Sequence, residues 1–142
     1  MAHKLETRPV LTLAVAKLIA AAAEEKALKH GLSVAIAILS DSGKLLYFQR
    51  MDNTSNASVD IALAKAQHSV NFHRPTKYHE DLVSGGNNIV LGVPGMVPLE
   101  GGLPIRVDGY VVGSIGVSGA KSSEDGEIAE AGVQALQAYL AG

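Results

Sequence analysis

The sequence predicts an α/β chain of the α+β type: a mainly antiparallel sheet with helices packed against it. Two apolar runs are joined by the turn Asp41-Ser42-Gly43-Lys44, and two more by Asp108-Gly109; both are β-hairpin signals. Helical periodicities precede, separate and follow the two hairpins. Strands joined by tight turns cannot form a parallel sheet, which needs long crossovers, so the helices must cover an antiparallel one.

Each element has its own signal. Thr12 is placed to cap a helix running to about His30, with Gly31 as its stop. Leu11, Val15, Leu18, Ile19 and Ala22 recur at helical spacing and predict its buried stripe. Val34 to Leu39 is apolar on both faces and reads as a central strand covered on both sides. Its branched face is Val34, Ile36 and Ile38; the small face, Ala35 and Ala37, suits a closely packed helix. Lys44 to Met51 returns as the hairpin partner. Arg50 and Asp52 at its end would point the same way and are expected to pair. Ser55, Asn56 or Ser58 caps a second helix reaching about Phe72, which Pro75 breaks before a short helix from Thr76 to Val83.

Gly85 to Gly102 is rich in glycine and proline and predicts an irregular loop with one short strand near Ile89 to Leu91. With the hairpins this makes a sheet of about five strands. The second hairpin follows, with glycines at 113, 116 and 119 in its return strand. Glycine weakens a strand, so three of them predict close backbone approach by a helix, a second chain or a ligand. Ser122 or Ser123 then caps a last helix to about Leu140, with Glu124, Asp125 and Glu127 in its first turn, where the helix dipole favours anions. No repeat or linker interrupts the chain, so residues 1–142 are expected to form one domain.

Composition excludes several functions. The net charge of -2, without a long basic run, gives no case for nucleic acid as a partner. The chain has no cysteine, which removes disulfides, thiolate metal sites and a cysteine nucleophile. Met1 to Pro9 is polar, unlike a signal peptide, and Leu11 to Ala23 is too short to span a membrane and contains Lys17. The expectation is a cytoplasmic protein without a membrane partner.

Motifs for chemistry are sparse. His79-Glu80-Asp81-Leu82-Val83 lacks the second histidine of the zinc-protease helix, Gly113-Ser114-Ile115-Gly116 is no nucleophile elbow, and Gly101-Gly102 is not followed by the Lys-Ser/Thr of a phosphate loop. Of five histidines, His3 and His30 read as structural or terminal. His68, His73 and His79 share one helix-break-helix segment and could each serve a metal or haem iron, or sit on solvated faces. Lys65, His68 and Phe72 lie on one helix face, which could line a pocket; equally, Phe72 could be core with Lys65 extended along it. Arg74 offers a planar fork for a carboxylate or phosphate. Thr76 caps the next helix or turns its hydroxyl to a ligand, the cap being the commoner use. Gly101 and Gly102 could present backbone N–H groups to an anion or simply feed the hairpin.

Several segments together resemble the GlcG/HbpS family, the haem-degrading domain family that includes the C-terminal domain of PduO-type cobalamin adenosyltransferases. They are Asp41-Ser42-Gly43, Arg50-Met51-Asp52, Ala64-Lys65-Ala66, Arg74-Pro75-Thr76, Gly101-Gly102-Leu103-Pro104-Ile105, Asp108-Gly109, Gly113 to Gly119, and Asp125 before Ile128-Ala129. They occur in family order over about residues 12 to 140. The resemblance implies a profilin-like fold, a homo-oligomer and, in some relatives, haem as ligand; Thr76 is the position it carries over as a pocket residue. Two readings follow. In the first, a haem or another planar or anionic small molecule sits between His73–Thr76 and Gly101–Gly102, near a subunit contact. Lys65 or Arg74 pairs with its carboxylates, Phe72 stacks, and His68 or His73 ligates iron. In the second, the chain is a small enzyme or accessory protein of a catabolic pathway acting on an organic acid, held by Arg74 and the glycine N–H groups.

Overall fold

The fold is organised around β1 (Ala35–Ser40), the apolar run that the sequence places centrally; the computed structural model describes residues 4–142. β1 pairs on one side with β2 (Leu45–Arg50) and on the other with β4 (Tyr110–Ser118), whose far edge carries β3 (Gly102–Val107). The order β2-β1-β4-β3 is antiparallel throughout, with Ile36 opposite Val117 and Ile38 opposite Ile115. The sheet has four strands rather than about five. The apolar segment expected to add the fifth forms a 3-10 helix, Asn88–Gly92, between glycine- and proline-containing stretches that keep it off the sheet.

α1 (Leu13–Lys29) and α4 (Ser122–Ala141) cover one face, and α2 (Asn56–Phe72) covers the other. The two faces of β1 part as its side chains predict. Val34, just before the strand, and Ile36 and Ile38 enter the larger core with α1 and α4; Ala37 and Leu39 pack with Ala66 and Val70 of α2. Thr12 caps α1 by accepting from Val15 N–H, and Ser55 caps α2 by accepting from Ser58 N–H. The buried stripe of α1 is Ala16, Ile19, Ala20, Ala23 and Ala27, displaced from the expected one, which leaves Val15, Leu18 and Ala22 only half-buried. Small side chains face inward there because α1 lies close against α4: a Cβ on Gly132 of α4 would press on Ile19. Lys121, not Ser122 or Ser123, occupies the cap position of α4, and Glu124 reaches back to accept from Lys121 N–H. Arg50 does not pair with Asp52. Its guanidinium donates to Thr54 O at 2.7 Å and to Asn56 Oδ1 at 3.0 Å, fixing the turn into α2.

The glycines of β4 mark close approaches within the chain. A Cβ on Gly116 would meet the backbone of Ala62 and Ala66, so α2 packs its main chain against the strand at that point. Replacing Gly116 by Ala has no free space to occupy on either side and should cost about 3 kcal/mol. Urea denaturation followed by circular dichroism measures it; a stability within experimental error of the parent would show that α2 can retreat.

Candidate functional site

A polar interior lies where α2, β4 and α4 meet. Lys65, on the inward face of α2, is 2% exposed. Its ammonium donates to Val117 O at 3.0 Å and to Asp125 Oδ2 at 3.0 Å, and the second oxygen of Asp125 accepts from Ala120 N–H at 3.0 Å. Burial pushes the Asp125 carboxyl up, opposed by Lys65 and by the N–H of Ala120. Lys65 is therefore committed to the scaffold and is not available to pair with a ligand carboxylate. The i, i+3, i+7 spacing puts it on one face with His68 and Phe72, but that face turns toward β4 and the end of the sheet.

Gly101 and Gly102 lie against this interior. A Cβ on Gly101 would fall 2.7 Å from Lys65 Nζ, and one on Gly102 would fall 2.8 Å from Ser69 Oγ. Gly102 N–H donates to Thr76 Oγ1 at 2.9 Å, and Val117 N–H donates to Gly101 O at 2.9 Å. Thr76 is the first residue of α3 (Thr76–Ser84), with Pro75 at the cap position, so its hydroxyl does not cap that helix. It ties α3 to the start of β3 instead. Gly102 N–H is thus engaged within the fold and not free for an anion.

On the outer side of this glycine wall is a cavity of about 520 Å3. Pro75, Lys77, Tyr78 and Asp81 line it from the α3 side, Glu100 to Leu103 form its wall, and Gly126, Glu127 and Glu130 of α4 close it. Its apolar surface comes from Pro75, Tyr78 and Leu103. Lys77 bridges Asp81 at 3.3 Å and Glu100 at 3.7 Å, and these carboxylates raise its pKa. Glu100 lies over Gly126, where any side chain would strike its carboxylate.

On the other face of α3 is an aromatic cluster. His68 Nε2 is 2.8 Å from His79 Nδ1, and His68 Nδ1 accepts from Val97 N–H at 2.9 Å. Phe72 packs edge-on to His68 with ring centroids 5.0 Å apart, and Tyr78 packs edge-on to His79 at 5.0 Å. Burial, reinforced by His79, lowers the His68 pKa to about 4; burial and the charge of Arg74 lower that of His79.

Of the residues singled out from sequence, Gly101 and Gly102 line the cavity, while Lys65, His68, Phe72, His73, Arg74 and Thr76 do not. Both ring nitrogens of His68 already have partners, so iron ligation would break at least one of these hydrogen bonds. His73 takes a left-handed conformation at the end of α2 and is exposed. Arg74 lies 4.0 Å over the Tyr78 ring, a cation–π arrangement rather than an open anion fork. Phe72 serves the histidine cluster. His3 lies outside the described residues, and no cluster of three or more His, Asp or Glu suited to a metal occurs among those described. Sequence reading missed Lys77, Tyr78, Asp81 and the α4 residues as lining. An aromatic three residues after a helix-breaking proline was the one local sign.

Two outcomes test this description. Lys65→Met strands the buried Asp125 and should cost about 3–5 kcal/mol, with part recovered in Lys65→Met/Asp125→Leu; denaturant midpoints measure both. For His68, the unfolded ring takes up a proton near pH 6.5 and the folded ring only near pH 4. The unfolded chain thus binds more protons between those values. This contribution to stability is complete above pH 6.5 and falls away toward pH 4, by about 2 kcal/mol once solvent screening is allowed for. A His68→Phe variant should lose this slope in thermal melts; an unchanged slope would assign it to other groups.

Comparison with known proteins agrees with the resemblance. Residues 11–134 match the model of the HbpS-like family, described as haem degrading protein HbpS-like. Protein GlcG of Escherichia coli strain K12 is 37% identical over 114 residues, covering 80% of this chain and 85% of that protein. The crystal structure of Klebsiella pneumoniae protein ORFY superposes with a TM-score of 0.88 at 29% identity, covering 97% of this chain and 98% of the other. The structure of a PduOC:heme complex superposes with a TM-score of 0.82 at 25% identity, covering 89% and 95%. The α+β sheet, the glycine-bearing strand and these matches together place the chain in the HbpS-like family.

Proposed function

We propose that this chain binds a small molecule with a flat apolar body in the cavity between α3, Gly101–Gly102 and the start of α4. We propose haem as its ligand and a homo-oligomer as its working form. The cavity carries the reading: about 520 Å3, within the usual range for small-molecule sites, with Pro75, Tyr78 and Leu103 as apolar surface. Family membership supports a small-ligand-binding role, and the PduOC:heme complex supplies haem as the ligand of one structural relative.

The side chains suit haem only in a particular way. No histidine lines the cavity, so the expected His68 or His73 ligation does not suit it. Tyr78 is the lining aromatic, and its ring would serve as a stacking wall for a flat ligand. Lys77 is the lining cation that would meet a carboxylate, in competition with Asp81 and Glu100. Bound there, haem would supply an iron centre; the protein's part is to shelter the ring and to place Tyr78 and Lys77. The oligomer is supported by exposed apolar side chains on residues 88–99, among them Ile89 at 84% and Leu91 at 52% exposure.

A haemin titration followed by absorbance, run beside size-exclusion chromatography with light scattering, tests the proposal. The expected result is a saturable Soret shift at a fixed ratio per subunit. It should be retained in His73→Ala and weakened by about tenfold or more in Tyr78→Ala, which removes an aromatic wall. Absence of a saturable shift overturns haem; full binding by Tyr78→Ala overturns the cavity. A monomeric mass at all concentrations overturns the assembly.

A further inference from the structure

The His68–His79 pair is buried and hydrogen-bonded, and the ligand reading leaves it without a role. Its proton positions follow from its neighbours. A backbone N–H can only donate, so Val97 N–H requires a bare Nδ1 on His68. The neutral ring then carries its proton on Nε2 and donates it to His79 Nδ1, 2.8 Å away. His79 in turn carries its proton on Nε2. The chain of donors therefore runs one way, from Val97 through His68 to His79.

Val97 belongs to an arm, residues 88–99, that is otherwise held to its own chain by the half-buried Val90, Met96 and Pro98. Among the described residues, its other backbone hydrogen bonds run within the arm or to the adjoining Gly86. The 3-10 helix within it has no buried residue. Among the described residues, the bond from Val97 to His68 is thus the arm's hydrogen bond to the body of the fold.

We propose that His68 and His79 form a proton-operated latch that holds this arm against α2 and α3 and releases it when the pair takes up one proton. The pair offers four ring nitrogens, and a singly protonated pair carries three protons. If His68 takes the extra proton, it must go on Nδ1, facing Val97 N–H. If His79 takes it on Nδ1, the inter-ring bond survives only when His68 moves its own proton from Nε2 to Nδ1. Either way, keeping the bond between the rings sets two donors face to face at Val97, and the arm's bond fails. The alternative of keeping Val97 sets two N–H groups against each other between the rings, losing the stronger charge-assisted bond.

The surroundings favour this outcome. From α2 the pair meets Phe72, and from the α3 side it meets Tyr78 and the positive charge of Arg74; from the arm it meets the Val97 amide. Lys65, the nearest cation along α2, is held by Asp125. No carboxylate among the described residues pairs with either ring to stabilise an imidazolium. The arm runs directly into Glu100 and Gly101, so its release loosens a cavity wall. That consequence rests on the cavity being the ligand site, whereas the latch itself does not.

Nitrogen NMR of the histidine side chains tests the proton positions at pH 7 in the unmodified chain without ligand. A bare His68 Nδ1 is expected, and a protonated one overturns the latch. Hydrogen exchange, corrected for intrinsic rates, then tests the release. Val97 protection should fall about tenfold from pH 6.5 to pH 4, the worth of one hydrogen bond, while the β4 amides lose protection only as far as the overall stability of the fold falls. In His68→Asn, whose side-chain oxygen can accept from Val97 without titrating, protection should not change over that range. A parallel fall in His68→Asn, or constant protection in the parent chain, overturns the proposal.

Discussion

The ammonium of Lys65 sits 3.0 Å from both Val117 O and Asp125 Oδ2, and around it α2, β4 and α4 meet. A charge removed from water is tolerable only when its partners are in place, and here they come from segments 52 and 60 residues away. The small residues nearby follow from that requirement. Gly101 leaves room for the ammonium, and Gly116 lets the backbone of α2 come down onto β4 so that Lys65 can reach the strand end. Thr76 ties α3 to the same corner through Gly102.

This corner sets where chemistry can happen. The polar interior is packed shut, with Lys65, Ser69, Thr76 and Asp125 all buried, so ligand space is displaced outward, onto the far side of Gly101 and Gly102. α3 divides that outer region. Tyr78 and Lys77 contribute to the cavity, while His79 and Thr76 are buried against the body of the fold. Nine residues of helix thereby serve a binding surface, an anchor and a titratable pair.

Most of the architecture was legible in the sequence because its signals are local. Asp108-Gly109 specifies a tight hairpin, Thr12 and Ser55 specify helix starts, and the two faces of β1 differ visibly in side-chain size. Features set by distant partners were not. The alanines of α1 win the inward face only because α4 lies close to it. Ile89 to Leu91 looks like a strand, yet between its glycine- and proline-containing flanks it winds into a 3-10 helix. Lys65, His68 and Phe72 do share a helix face, yet spacing along a helix cannot say what that face meets. Asp125 was readable as a first-turn acid but not as the partner of a lysine in another helix. The cavity drew on α3, a loop and α4, and only the break at Pro75 and the glycine loop were marked in advance.

The place of β4 has a consequence for how the protein is made. It is the last strand to leave the ribosome, yet it lies between β1 and β3 and covers the inner edge of both. Until residue 118 has emerged, β1 carries an unpaired edge, α2 lacks the strand it packs on most closely, and Lys65 waits for a helix not yet synthesised. The nascent chain can form hairpins and helices as it grows, but the middle of the sheet closes only once β4 has emerged. Until then, its most apolar strand depends on the surroundings of the ribosome for protection against pairing with another chain.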